Sequence, residues 1–293
     1  MFEQVVNIIF PVIALVFVGF IVAKFIKPDF KPINRINMDV FTPSLVFSSL
    51  ATMSLDAQQL PLIGAALIAI LVPGILMIPV CKVLNLNYKA WAPPHMFRNS
   101  GNLAIPLFTY TFGDTALAPA VLLFVMSAST HISVGLALLS DGNPFKQIIK
   151  MPVFIAASLA LAFNLSGIEL WRPVYNATSL LGQAAVPVML LSLGSQMCHM
   201  KLAGLKAGVM CSLQSLATGL VAFLIIYHFV PLPPMQMQMM VLFTMLPPAV
   251  MNYLFAERFN VEPRNVASMV LFANFFSIFT LPVLLMTALS MGT

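Results

Sequence analysis

The stretch HMFRNSGNLAIPLF, residues 95–108, lies inside a long apolar segment and gathers Arg98, Asn99, Ser100, Gly101, Asn102 and Pro106 within nine positions. An arginine at mid-membrane costs at least about 2.5–3.5 kcal/mol on insertion scales. Asparagine, glycine and proline are poor residues for a helix interior. A span that carries them together predicts a helix broken at its middle. Backbone groups freed by such a break must be satisfied by protein or must line a watered cavity.

The remainder of the chain makes this segment a membrane span. Its residues are 60% hydrophobic and 8% charged, with a mean hydropathy of +0.97. Soluble domains carry roughly 25% charged residues. Apolar runs between polar breaks predict ten spans, at about 3–24, 36–54, 59–84, 90–112, 115–140, 149–168, 175–197, 203–229, 236–258 and 264–289. Spans of about 20 to 25 residues then use nearly all 293 residues and leave no room for a soluble domain. The opening MFEQVVNIIF reads as part of the first span, because Glu3 stands where a signal peptide would be positive.

The basic residues set an orientation. All 14 except Arg98 and Arg172 fall in alternate loops. By the positive-inside rule those loops are cytoplasmic. Both termini are then expected on the outer side of the membrane. The net charge of +5 is therefore a topology signal, and no nucleic-acid partner is expected. The lipid bilayer is the expected surrounding.

Span two contains VFTPSLVFSSLATM (40–53) and span seven AVPVMLLSLGSQM (185–197). Aligning Pro43 with Pro187 also pairs Ser48 with Ser192 and Met53 with Met197. Five spans (1–140) and five spans (151–293), joined by a short linker at 141–150, predict two repeats of opposite topology, a common construction in secondary transporters. If span four is broken, span nine should be broken too. Span nine holds Pro247, Pro248 and Asn252, and a double proline inside a helix frees carbonyls near Phe243 and Thr244.

The polar residues leave alternatives. Arg98 either holds an anionic substrate, pairs with a carboxylate or caps freed carbonyls, or snorkels toward the cytoplasm. Asp39 and Glu257 are the acidic residues nearest in depth. A second half-helix starting near Asn102 would aim free N–H groups at the midplane. Asn99, Ser100 and Asn102 would add donors for a carboxylate or cap the break. His131 is either a satisfied interior residue or a carrier of a coupling proton. Gln183, Ser192, Gln196, Ser48 and Ser49 either line a cavity or bond between helices. The three cysteines lack metal-ligand spacing, MQMQMM (235–240) lacks a supporting His or Cys cluster, and no catalytic set appears. No cofactor, metal or enzymatic activity is expected.

RNSGNLAIPL (98–107), NPFKQIIKMPVFIAASLALAFNLSGIEL (143–170), AAVPVMLLSLGSQM (184–197) and LPPAVMNYLFAERFNVEP (246–263) resemble the auxin efflux carrier family, which includes bacterial permeases and the plant PIN carriers. The resemblance implies an all-helical protein of ten spans in two inverted five-helix repeats. It implies a scaffold, a transport unit and elevator-like motion, with spans four and nine crossing where the anion binds. Here that crossing would involve Asn99 to Asn102 and Pro247 to Asn252. It also implies homodimers through the scaffold, and carboxylates such as malonate or malate, or auxin-like aromatic carboxylates, as substrates. The long cytoplasmic loop of many plant members is missing, and Arg98 stands where they have proline. The expected function is secondary transport of a small organic anion held by Arg98, Asn99, Ser100, Asn102 and Asn252, with Gly101, Pro106, Pro247 and Pro248 shaping the breaks. The rival is a sodium-coupled carrier resembling the bile acid symporters. A sensor or an intramembrane enzyme is disfavoured by the missing output domain and catalytic set.

Overall fold

The computed structural model describes residues 2–53, 59–139, 149–198 and 204–291. Of the linker expected at 141–150, residues 141–148 lie outside these. Among the described residues there are twelve helices and no strand. They are α1 (Phe2–Phe25), α2 (30–51), α3 (Leu60–Leu84), α4 (Tyr88–Met96), α5 (100–112), α6 (Asp114–Leu139), α7 (Pro152–Ser166), α8 (Arg172–Met197), α9 (Leu205–Phe229), α10 (Pro234–Met245), α11 (Met251–Arg258) and α12 (Pro263–Ser290). Six of them, α1, α3, α6, α8, α9 and α12, are long and apolar enough to cross a membrane.

Local chemistry sets the ends. Glu3 in the first turn of α1 and Lys24 in its last complement the helix dipole. Asn87 caps α4 by accepting the Lys89 N–H at 3.1 Å. Asn85 closes α3 in the left-handed conformation at φ 52°. In α2 a widened turn at Asn37–Phe41 precedes Pro43. In α8 the helix falters at Gln183–Ala185, just before Pro187. The two aligned prolines thus follow matching irregularities.

The helices sort into two groups. In one, α1 lies along the 185–197 half of α8, α7 lies along the 42–51 half of α2, and α2 meets α8. The α1–α8 contact is backbone on backbone. A Cβ on Gly194 would collide with the Val16 carbonyl, and one on Gly19 with that of Leu191. Small residues permit such approach where lipid gives no hydrophobic drive for association. In the other group, α3 packs on α4, α6 and α9, while α9 packs on α10 and α12. The groups touch through α2 with α6, α1 with α5 and α12, and α5 with α8.

Several of these contacts map onto one another when the first five segments are exchanged with the last five. The pair α1–α8 becomes α7–α2, α3–α4 becomes α9–α10, α3–α6 becomes α9–α12, and α1–α12 becomes α7–α6. All of these pairs are in contact.

Candidate functional site: a crossing of two broken helices

Two of the expected spans are helix pairs. α4 stops at Met96 and α5 begins at Ser100. α10 stops at Met245 and α11 begins at Met251. Both breaks are extended, and they run antiparallel past each other, with Arg98 opposite Pro248. The Asn99 N–H donates to the Pro247 carbonyl at 2.8 Å, and the Ala249 N–H to the Phe97 carbonyl at 2.9 Å. Two helix ends that would each expose unpaired backbone in lipid satisfy one another.

Side chains complete the crossing. Asn252 donates its Nδ2 to the carbonyls of Phe97 and Ala249, each at 2.9 Å. Asn99 donates Nδ2 to Asn274 Oδ1 at 2.8 Å. Asn274 of α12 in turn donates to the Pro248 carbonyl at 3.0 Å and the Val270 carbonyl at 2.8 Å. Arg98 is 1% exposed. One Nη donates to Ser215 Oγ and, at 3.2 Å, to the Leu246 carbonyl, and the other donates to the Ser215 carbonyl at 3.2 Å.

Arg98 therefore caps carbonyls, which was one of its readings. It has no carboxylate partner among the described residues. Asp39 pairs with Arg35 at 3.5 Å, and Glu257 accepts from the Tyr253 hydroxyl at 2.8 Å. The capped carbonyls in span nine are those of Leu246, Pro247 and Pro248, not those near Phe243 and Thr244, because α10 ends before the prolines instead of kinking through them. In span four the break falls at Phe97–Asn99, ahead of the expected start near Asn102. Gly101 and Pro106 are not at the crossing. Pro106 sits in the first turn of regular helix after the widened turn Ser100–Ala104. Gly101 makes room for a neighbour, since a Cβ there would lie 3.0 Å from the ring of Phe124.

A cavity of about 220 Å³ lies against the crossing, between the two helix groups. Residues 98–102 and 249–251, at the two breaks and in the first turns that follow them, line it. Asn34, Asn37 and Thr42 come from α2, Ser127 and His131 from α6, and Ser192 and Gln196 from α8. Phe124, Met38, Met151, Met189, Met251 and Leu254 supply apolar surface. No acidic side chain lines it among the described residues. In the first turn of α5 the Ser100 N–H donates to the Arg98 carbonyl at 2.7 Å and the Leu103 N–H to that of Asn99 at 3.3 Å, which leaves the N–H groups of Gly101 and Asn102 to face this wall.

Of the residues expected at the site, Arg98, Asn99, Ser100, Gly101, Asn102 and His131 line this cavity. Asn252, Pro247 and Pro248 stand in the crossing behind it. Ser192 and Gln196 reach the cavity, whereas Ser48, Ser49 and Gln183 do not. His131 is stacked on Phe97, ring centroids 4.0 Å apart, with Phe255 edge-on at 5.0 Å, and its Nε2 has no hydrogen-bond partner. No cluster of metal-ligating side chains occurs among the described residues.

Sequence reading missed Asn274, Ser215, Asn34 and Asn37. Asn274 had a signal, as an amide within FANFF in the middle of the last apolar span. Ser215 had none, since a serine on a membrane helix commonly bonds its own backbone.

A family model described as membrane transport protein matches residues 141–285, which cover most of the second set of five segments. No curated protein matches the chain.

Proposed function

The chain belongs to the auxin efflux carrier family of membrane transport proteins, and on that premise we propose that it is a secondary transporter of a small organic anion bound in the cavity beside the crossing. One observation carries this reading. Arg98 is a buried cation without a carboxylate partner among the described residues, at the wall of a cavity that no acidic side chain lines. Its fork is engaged by Ser215 and Leu246. With both Nη atoms engaged and only Nε left without a partner, it acts on the substrate chiefly through its field. At an effective dielectric near 20, a charge about 7 Å away still contributes about 2 kcal/mol.

Direct contacts fall to the Ser100 and Asn102 side chains and to the backbone amides of Gly101 and Asn102, which offer a carboxylate neutral donors and a positive dipole end. The methionines, Phe124 and Leu254 accommodate the apolar body. A cavity with one shielded positive charge suits a monocarboxylate, or a dicarboxylate carrying one proton, better than a full dianion. A bound sodium ion would want freed backbone carbonyls beside the break, and here those of Phe97, Leu246, Pro247 and Pro248 already accept hydrogen bonds within the crossing.

Ten spans in two inverted repeats account for the exchange symmetry of the helix contacts. In this reading α1, α2, α7 and α8 form the scaffold. The other helices carry the crossing past it in an elevator-type cycle, with both termini on the outer side of an inner membrane. A negative interior favours exit of an anion by about 2.3 kcal/mol per charge per 100 mV, so export needs no coupling ion.

The test is thermal shift against a panel of carboxylates, run with uptake into liposomes, on wild type and Asn102→Ala. Ligands that bind the folded state raise its Tm by mass action. A monocarboxylate that stabilises and crosses with wild type, and does so at least about tenfold more weakly with Asn102→Ala, supports the reading. A panel of anions that neither stabilises nor crosses overturns it.

A further inference from the structure

A second hollow, of about 320 Å³, lies between the two helix groups on the far side of the crossing. Val12, Val16 and Phe20 of α1 face Leu193 of α8, Leu107 of α5 and Leu281 of α12. Under the exchange of the two sets of five segments, its walls α1, α5, α8 and α12 correspond to α7, α11, α2 and α6. Those helices all wall the polar cavity. The two hollows are counterparts, joined back to back where Asn99 in one donates to Asn274 in the other.

Their chemistry has diverged. The polar side chains at the second hollow are Asn274 and Ser277. Asn274 spends its amide on Asn99, Pro248 and Val270, and the Ser277 hydroxyl donates to the Asn274 carbonyl at 2.6 Å. A buried water needs roughly two to four polar partners, and the hollow offers no such set. A carboxylate would lose its hydration there without compensation.

The hollow is a furrow, not a pit. Its α1 wall runs from Ile9 to Phe20, about 16 Å at about 1.5 Å per residue. This matches one leaflet of a hydrocarbon core about 30 Å thick, and the furrow runs along the helix axis as lipid tails run. Its rim is exposed and apolar. Phe17 on α1 and Phe275 on α12 continue outward into exposed Phe10, Val18, Phe279 and Val283. The furrow is therefore continuous with the surface these spans present to lipid.

We infer that this furrow is a lipid site that takes one acyl chain of a membrane phospholipid, lodged between scaffold and transport unit opposite the substrate cavity. The chain fills a seam along which α5 and α12 must slide against α1 and α8. It acts as a spacer, and the seam repacks each time the units move.

The test fills the furrow from either wall with Ile13→Phe or Ile278→Phe and counts phospholipids retained by native mass spectrometry after mild delipidation. Wild type should retain one phospholipid more than either variant, and Asn102→Ala should retain as many as wild type. Equal retention in wild type and a folded furrow variant overturns the site, whatever the transport assay gives. A further arm tolerates failure of both variants to fold. Phe20→Trp places a reporter on the wall, and its emission, corrected for Trp91 and Trp171 with wild type, should be quenched at least about twofold by tail-brominated phospholipid. Absence of quenching overturns the proposal equally.

Discussion

Asn99 and Asn274, 175 positions apart in sequence, share a hydrogen bond of 2.8 Å that ties the break in span four to the last helix. The same Asn274 amide holds the Pro248 carbonyl of the opposite break. One side chain thus ties both breaks to α12, and polar groups on both would be orphaned without it. Leaving a buried polar group unsatisfied costs about 1–3 kcal/mol. Asn274→Ala is expected to lower the melting temperature sharply and to abolish transport, whereas Asn274→Gln should recover part of neither. Differential scanning fluorimetry in detergent, beside liposome uptake, checks both.

The structural and electrostatic roles of Arg98 can be separated. Ser215→Ala removes one partner of the fork but leaves the charge in place. It should lower stability by about 1–3 kcal/mol and change substrate affinity less than about threefold. Arg98→Gln removes the charge as well, and should weaken anion affinity at least about tenfold, which is about 1.4 kcal/mol. Equal affinity losses in the two variants would contradict action through the field. Ligand-dependent melting shifts measure both.

Gly101 faces the ring of Phe124 across the cavity wall. Gly101→Ala must displace that ring, and overpacking of this kind costs about 1–3 kcal/mol. Transport should fall several-fold while the protein still folds. Adding Phe124→Leu should restore it. Initial rates of the single and double variants decide the matter.

At Gly194 the obstacle is backbone, the Val16 carbonyl, and cannot turn aside. Gly194→Val is expected to prevent folding altogether, read as loss of the monodisperse peak in fluorescence-detected size exclusion. Gly64, with open space around it, should accept alanine without effect.

His131 packs between Phe97 and Phe255. His131→Phe preserves that stack and removes the titratable ring. It is expected to keep wild-type stability and the wild-type pH profile of uptake. A profile flattened between about pH 5 and pH 8, where histidine ordinarily titrates, would place a coupling proton on this residue.

The sequence carried the breaks but not their partners. Arg98 with Asn99, and Pro247 with Pro248, mark places where a helix cannot continue, since proline lacks a donor and a buried arginine needs acceptors. These signals are local and can be read from the chain. Their positions shifted by a few residues, because each helix stops where the opposite break supplies hydrogen bonds, a tertiary effect. Ser215 and Asn274 were harder still, because their roles depend on which helix lies beside them. The cavity wall from α2, Asn34 and Asn37, sits at the end of a span that reads as surface until α8 and α6 are laid against it. Pro43 and Pro187 revealed their kinship early because one alignment also pairs Ser48 with Ser192 and Met53 with Met197.

The acceptors of Arg98 and the backbone partners of its break lie 117 to 152 positions later in the chain. A ribosome delivers span four to the bilayer well before it delivers α9, α10 and α11. In that interval a charged side chain and a set of unpaired amides sit in the first half with nothing to receive them. The nascent first half must therefore wait unfinished, its fourth span shallow or sheltered by the insertion machinery, until the second half arrives to close the crossing. Co-expressed halves should then rescue each other, while residues 1–140 alone should be degraded.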